Sequence, residues 1–178
     1  MIIMRKANAI VLMGIIAAAW LAVFTTQVDA ETPDEKLSIK LAVKHHEEVW
    51  SKGNMVVADQ IYLNDLVRHS ADMPDMKGRE PYKKFILACR EAFPDWKDTV
   101  ENIIASGDLV VTKYVNRGTM TGTMRGPKGD RPPTGNRLEA PCAAFFRIAE
   151  GKIAEIWFYY DSVAFAKALG LPPSPPTK

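Results

Sequence analysis

The sequence has little of what most chemical sites are built from. Two cysteines and three histidines occur in 178 residues. There is no Cys-x-x-Cys pair, and no histidine is spaced with carboxylates as a metal centre requires. No Gly-x-Ser-x-Gly elbow supports a serine nucleophile. Charge of one sign is scarce as well. Lys and Arg total 23 against 21 Asp and Glu, a formal +2, too small an excess for a nucleic-acid footprint or a polybasic membrane surface. No segment repeats with a period of roughly 20 to 50 residues, which excludes solenoids. The glycine- and proline-rich stretch from Gly126 to Gly135 has no strand-to-helix context, so it reads as an exposed loop rather than a phosphate cradle.

What is present begins with a leader. Arg5 and Lys6 precede an apolar run from Ala9 to Phe24, and Val28-Asp29-Ala30 follows. That is the grammar of a secretory signal peptide over residues 1–30, cleaved after Ala30. The competing reading is a retained anchor, since the run falls just short of the ~20 residues that span a bilayer. Either way the folded part is expected outside the cytoplasm, periplasmic or secreted. Taking 30 from 178 leaves 148 residues, the size of one domain. It is expected over 31–171, with a stiff proline-rich disordered tail at 172–178.

Thr32-Pro33-Asp34-Glu35 is a capping box for a helix running to about Lys52, with Leu37, Leu41, His45 and Val49 on one face. On that stripe His45 is expected to be a satisfied core histidine, and His46, one position round, to face solvent. Asn54 caps a short helix through Tyr62. Leu66–His69 reads as a strand, and Ser70–Lys77 as a loop. A third helix starts near Arg79 and buries Tyr82, Phe85, Ile86, Cys89 and Phe93. The stretches 96–106, 109–124, 137–149 and 152–161 are strand-like, with turns at Gly107-Asp108 and Glu150-Gly151. A last helix runs from about Ser162 to Leu169. Helices followed by strands imply an α+β fold, a cone-shaped curved antiparallel sheet wrapped around the N-terminal helices. Cys89 and Cys142 are expected as separate buried thiols, though an exported compartment permits a disulfide.

In the strand 152–161, alternation puts Glu155, Trp157, Tyr159 and Asp161 on one face and Ile156, Phe158 and Tyr160 on the other. A carboxylate among such residues would be desolvated and suited to proton transfer. Asp161 is the candidate; its alternative role is N-cap of the following helix. His69 is the second candidate, with an ordinary pKa near 6.5, and its alternative is a structural or exposed histidine.

Ala92-Phe93-Pro94-Asp95-Trp96, Ser106-Gly107-Asp108, the run Arg117 to Gly122, Pro133-Thr134-Gly135, Phe146-Arg147-Ile148 with Gly151-Lys152-Ile153, and Glu155-Ile156-Trp157 leading to Asp161 together resemble the SnoaL-like polyketide cyclase (ester cyclase) family of the nuclear transport factor 2-like superfamily. The resemblance covers about Leu37 to Leu171. It implies an apolar pocket and cofactor-free ring closure of a polyketide ester with an aspartate as acid/base, a role that falls on Asp161 with His69 beside it. Trp157, Tyr159 and Met120 would contact the substrate, a small hydrophobic carbonyl compound. Met120 and Ile156 stand where the family usually has histidine. No metal, nucleotide, nucleic acid or membrane partner is implied once the leader is removed. Two further readings stay open: a non-catalytic binding module for a hydrophobic small molecule, and a homodimer paired through the outer face of the sheet.

Overall fold

A computed structural model describes residues 33–71, 73–126 and 129–172. The leader, the cap at Thr32 and the tail from residue 173 onward lie outside these. Helix α1 (Pro33–Lys44) continues without a break as a π-helical segment (His45–Ser51), and Asn54 then caps α2 (Met55–Ile61), its side chain accepting the Val57 N–H. Strand β1 (Tyr62–Ser70), β2 (Met73–Lys77) and α3 (Arg79–Ala92) follow. The remaining elements are β3 (Lys97–Ser106), β4 (Leu109–Thr119), β5 (Arg137–Ala149), β6 (Lys152–Tyr160) and α4 (Ser162–Ala168). No helix among the described residues is long and apolar enough to cross a membrane.

The six strands form one sheet in the order β2-β1-β6-β5-β4-β3. The α+β architecture expected from the sequence is present, and the sheet is mixed: β1 runs parallel to β6 and every other pair is antiparallel. That exception follows from connectivity. The whole of β2 to β5 lies between β1 and β6, ample chain for the crossover a parallel pair needs. The β5–β6 hairpin turns on Glu150 and Gly151, both at positive φ (53° and 67°), the primed turn whose twist suits adjoining antiparallel strands.

Besides the one parallel pair in a sheet expected to be antiparallel, three expectations change. Residues 73–77 form an edge strand rather than loop, antiparallel to β1; their polar Met-Pro-Asp-Met-Lys sequence hides this, but an edge tolerates proline because one side of the strand needs no ladder donor. The first helix does not bury Leu37, which is 46% exposed. His46 is fully buried rather than solvent-facing. The last change has a geometric cause: i→i+5 bonding widens the helix, so successive residues turn less about its axis and both His45 and His46 reach the core.

The core lies between this helix, α3 and the concave face of the sheet. On β5, Leu138, Ala140, Cys142, Ala144 and Phe146 are all buried, while Glu139 and Pro141 are exposed, the period of two that one buried face imposes. On α3, Tyr82, Ile86 and Cys89 are buried at the spacing of one helical face.

Candidate functional site

The interior holds a cavity of about 50 Å³ between the π-helical segment, α3 and the sheet. Its walls are mostly aromatic, including Trp50, Tyr82, Phe85, Trp96, Phe158 and Phe165. Its polar wall comes from four elements: His45 from the π-helical segment, Arg68 from β1, Asp98 from β3, and Tyr114 with Asn116 from β4.

Asp98 is the centre of a hydrogen-bonded network. His46 Nδ1–H donates to Asp98 Oδ2 at 2.8 Å, while Oδ1 accepts from Trp96 Nε1 and Asn116 Nδ2, both at 2.7 Å. The outer nitrogen of His46 lies 3.0 Å from Thr112 Oγ1, and the Cys142 thiol donates to Asn116 Oδ1 at 2.9 Å. Every bond here joins different elements or spans a turn, so the network fixes β3, β4 and β5 against the helix. Both Asp98 oxygens are thereby occupied by donors of the fold, which leaves this carboxylate a structural role.

His45 is different. Its Nδ1 is 2.8 Å from the Tyr62 hydroxyl, and no described residue hydrogen-bonds its Nε2. Burial, with His46 and Arg68 close by, holds its pKa well below the usual value, so the imidazole is neutral at neutral pH. It stacks beside Tyr82, with ring centroids 6.4 Å apart and planes 20° from parallel. The Tyr82 hydroxyl accepts from Trp50 Nε1 at 3.1 Å, which leaves its own proton to donate. Burial raises the Tyr82 pKa, so that proton stays on.

Arg68 is 4% exposed and its side chain makes no hydrogen bond or ion pair with any described residue; its Nη1 is fully buried without a partner. Its guanidinium lies over the rings of Phe85 and Phe158, 5.1 Å from each centroid.

The residues singled out from sequence sit elsewhere. Asp161 is exposed, and its Oδ1 accepts the N–H groups of Val163 (2.9 Å) and Ala164 (3.1 Å) as N-cap of α4. His69 lies on the opposite face of β1 from Arg68. It bonds Asp75 through Nδ1 and Glu155 through Nε2, each at 2.8 Å, and stacks on Trp157. Trp157 and the 54%-exposed Tyr159 line an open groove on the outer face of the sheet with Leu109, Ala143 and Phe145. Met120 is buried in the core at the end of β4. Thus His69, Trp157 and Tyr159 come together outside the cavity, Asp161 stands at its own helix cap, and none of the four lines the interior. Among the described residues, no three His, Cys, Asp or Glu side chains are grouped to hold a metal ion.

The profile of SnoaL-like polyketide cyclases matches residues 40–169. The chain belongs to the SnoaL-like polyketide cyclase family. Among solved structures, a proposed SnoaL-like polyketide cyclase from Jannaschia sp. CCS1 superposes with TM-score 0.72 at 24% identity, covering 82% of this chain and 99% of that one. IdmH, a proposed polyketide cyclase from Streptomyces antibioticus, is 27% identical with TM-score 0.61, over 75% of this chain and 99% of its own. AclR, a proposed hydroxylase from Streptomyces galilaeus, gives TM-score 0.66 at 22% identity over 80% and 86%. No curated protein sequence matches the chain significantly. The family motifs now have structural reasons. In Arg117 to Gly122, for example, Gly122 donates its N–H to the Ala92 carbonyl at 3.0 Å, and a Cβ there would lie 1.8 Å from the Glu91 oxygen.

Proposed function

We propose that this SnoaL-like protein moves a proton at a carbon next to a carbonyl, in a cyclisation or isomerisation of a small carbonyl compound held in the interior cavity. The observation that carries this reading is the stacked pair His45 and Tyr82: a neutral imidazole beside a phenol with a proton to donate, both in an aromatic enclosure. His45 takes the proton as the C–H electron pair moves to the carbonyl oxygen, and the Tyr82 hydroxyl stabilises the resulting enolate. The enolate carbon then attacks a second carbonyl of the same molecule, or is reprotonated at a different carbon. His45 returns the proton to the alkoxide or to that carbon. Size narrows the substrate. A 50 Å³ cavity is far below the roughly 300–1,000 Å³ of ordinary ligand sites, so the reading favours a short carbonyl compound over a polycyclic ketide. The leader-like residues 1–30 support export of the domain, which N-terminal sequencing of protein from the cell envelope tests.

The catalytic test is deuterium exchange next to the carbonyl of four- to six-carbon ketones, followed by NMR. The wild-type protein is expected to accelerate exchange, with His45→Gln losing about 100-fold or more and Tyr82→Phe about tenfold or more. Exchange at the wild-type rate in His45→Gln would sink the assignment. A ketone that binds without exchanging would favour the binding-module reading instead.

A further inference from the structure

Five N–H donors and a permanent positive charge make a buried arginine demanding. An uncompensated interior charge is strongly destabilising even after relaxation. Arg68 sits in such a place. It lines the cavity, is 4% exposed, and its guanidinium has no hydrogen-bonding partner among the described residues. Phe85 and Phe158 flank it at 5.1 Å, which compensates part of the charge through the ring faces and supplies no acceptor for its donors. The carboxylate that shares the cavity, Asp98, makes no ion pair with it. Both Asp98 oxygens are held by His46, Trp96 and Asn116, and no described carboxylate comes within ion-pairing distance of Arg68. The guanidinium is therefore a set of donors without acceptors among the described residues, flanked by two rings on the cavity wall.

We propose that the cavity binds an organic carboxylate whose two oxygens pair with the Arg68 guanidinium, its short apolar portion lying among Phe85, Phe158 and Phe165. The planar fork of arginine matches a carboxylate in bidentate geometry, and the aromatic walls reject a hydrated inorganic anion. About 50 Å³ is the occupied volume of roughly three or four waters, so the cavity takes only a short acid, and one of about four carbons, like the ketones above, enters as the aromatic side chains shift slightly. This deepens the reading above, because it makes the substrate a short oxo acid: the carboxylate rests on Arg68 and the carbonyl lies towards Tyr82 and His45. It depends on that reading only for the carbonyl.

Butyrate and its neutral isostere butyramide test the proposal by calorimetry on the purified protein, since neither has a ketone to turn over. Butyrate is expected to bind at least about tenfold more tightly than butyramide. Arg68→Met should abolish that preference, and Arg68→Lys should retain only part of it. Because the Arg68 guanidinium has no hydrogen-bond acceptor or ion pair among the described residues, and methionine keeps the packing against Phe85 and Phe158, Arg68→Met should melt at or above the wild-type temperature, the opposite of what a structural arginine would show. Equal binding of the two compounds, binding of neither, butyrate binding undiminished in Arg68→Met, or displacement of butyrate by equimolar phosphate would each overturn the proposal. If Arg68→Met fails to fold, the wild-type comparison of the two compounds decides alone. Butyrate selectivity in a protein that exchanges no ketone would leave the carboxylate site standing and remove the catalytic reading; exchange without selectivity would do the reverse.

Discussion

His46 and Asp98, 52 residues apart in the chain, meet in the core with Nδ1 and Oδ2 at 2.8 Å, both side chains at most 2% exposed. The pair is the pin between the π-helical segment and β3. Asp98→Ala removes both acceptor oxygens and strands three donors, on His46, Trp96 and Asn116. Breaking one side of a buried pair costs about 3–5 kcal/mol, which for a domain of this size lowers the melting temperature by about 10 °C. Thermal denaturation followed by circular dichroism checks this. A change within about 2 °C would mean that the network adds little to stability.

Gly122 is a place where the backbones themselves touch. A methyl group at this position would overlap the Glu91 carbonyl, which belongs to the backbone at the end of α3 and cannot rotate away. Gly122→Ala is therefore expected to destabilise by about 2–3 kcal/mol through overpacking. Urea titration provides the measurement. A midpoint like that of the wild type would show that α3 yields easily. Gly107, whose Cβ would meet nothing within 4 Å, is the control for space, with the cost of its positive φ of 60° as the remaining term.

Periodicity made the helices and the last four strands legible. The buried face of α3 and the alternation of β5 are strong one-dimensional signals. The polar site was not legible, because its members are read only by their partners. Asp98 stands in the polar run Lys97-Asp98-Thr99 of an edge strand, and nothing local says that Trp96, Asn116 and His46 converge on it. His46 was hidden by the assumption of a regular helix, which the π-helical segment breaks. Arg68 and His69 show the same limit. Alternation separates their faces, but which face is interior depends on β6, some 90 residues further on, and on α3.

The cysteines provide a second chemical check. Cys89 and Cys142 are both free and buried, and desolvation by burial pushes each thiol pKa up to about 12. The thiolate is the reactive species, so neither should react with a thiol reagent at pH 8 in the folded protein, and both should react in denaturant. Mass spectrometry of alkylated protein counts them. Rapid native labelling at either site would contradict the packing, and a melting temperature lowered by reductant would indicate a disulfide.

Asp161 distinguishes a cap from an acid–base group. Its carboxylate satisfies two N–H groups at the start of α4. Asparagine caps nearly as well as aspartate, whereas alanine costs about 1 kcal/mol. Asp161→Asn should hence keep both the melting temperature and the exchange activity, while Asp161→Ala loses about 3 °C and keeps most activity. Loss of exchange in Asp161→Asn at unchanged stability would transfer the proton-transfer role from His45 to Asp161.

On the outer face, His69 and Glu155 set a pH window. Burial lowers the His69 pKa, but its hydrogen bonds to Glu155 and Asp75 outweigh that, and the net shift is upward. For Glu155, the His69 hydrogen bond leads and the net shift is downward, Arg147 adding to it at 2.9 Å. The signs follow by linkage. A histidine with a raised folded pKa contributes stability that is complete below its unfolded value, near 6.5, and is lost as pH rises through the folded value. A glutamate with a lowered folded pKa contributes stability that is complete above its unfolded value, near 4.5, and is lost as pH falls through the folded one. The pair is thus most stabilising between about pH 4.5 and 6.5. Both side chains are partly exposed, so the amount is about 1 kcal/mol at most. His69→Gln should lower the melting temperature by about 3 °C at pH 5.5 and by almost nothing at pH 9. A deficit that is the same at both pH values would assign His69 a packing role against Trp157 rather than an electrostatic one.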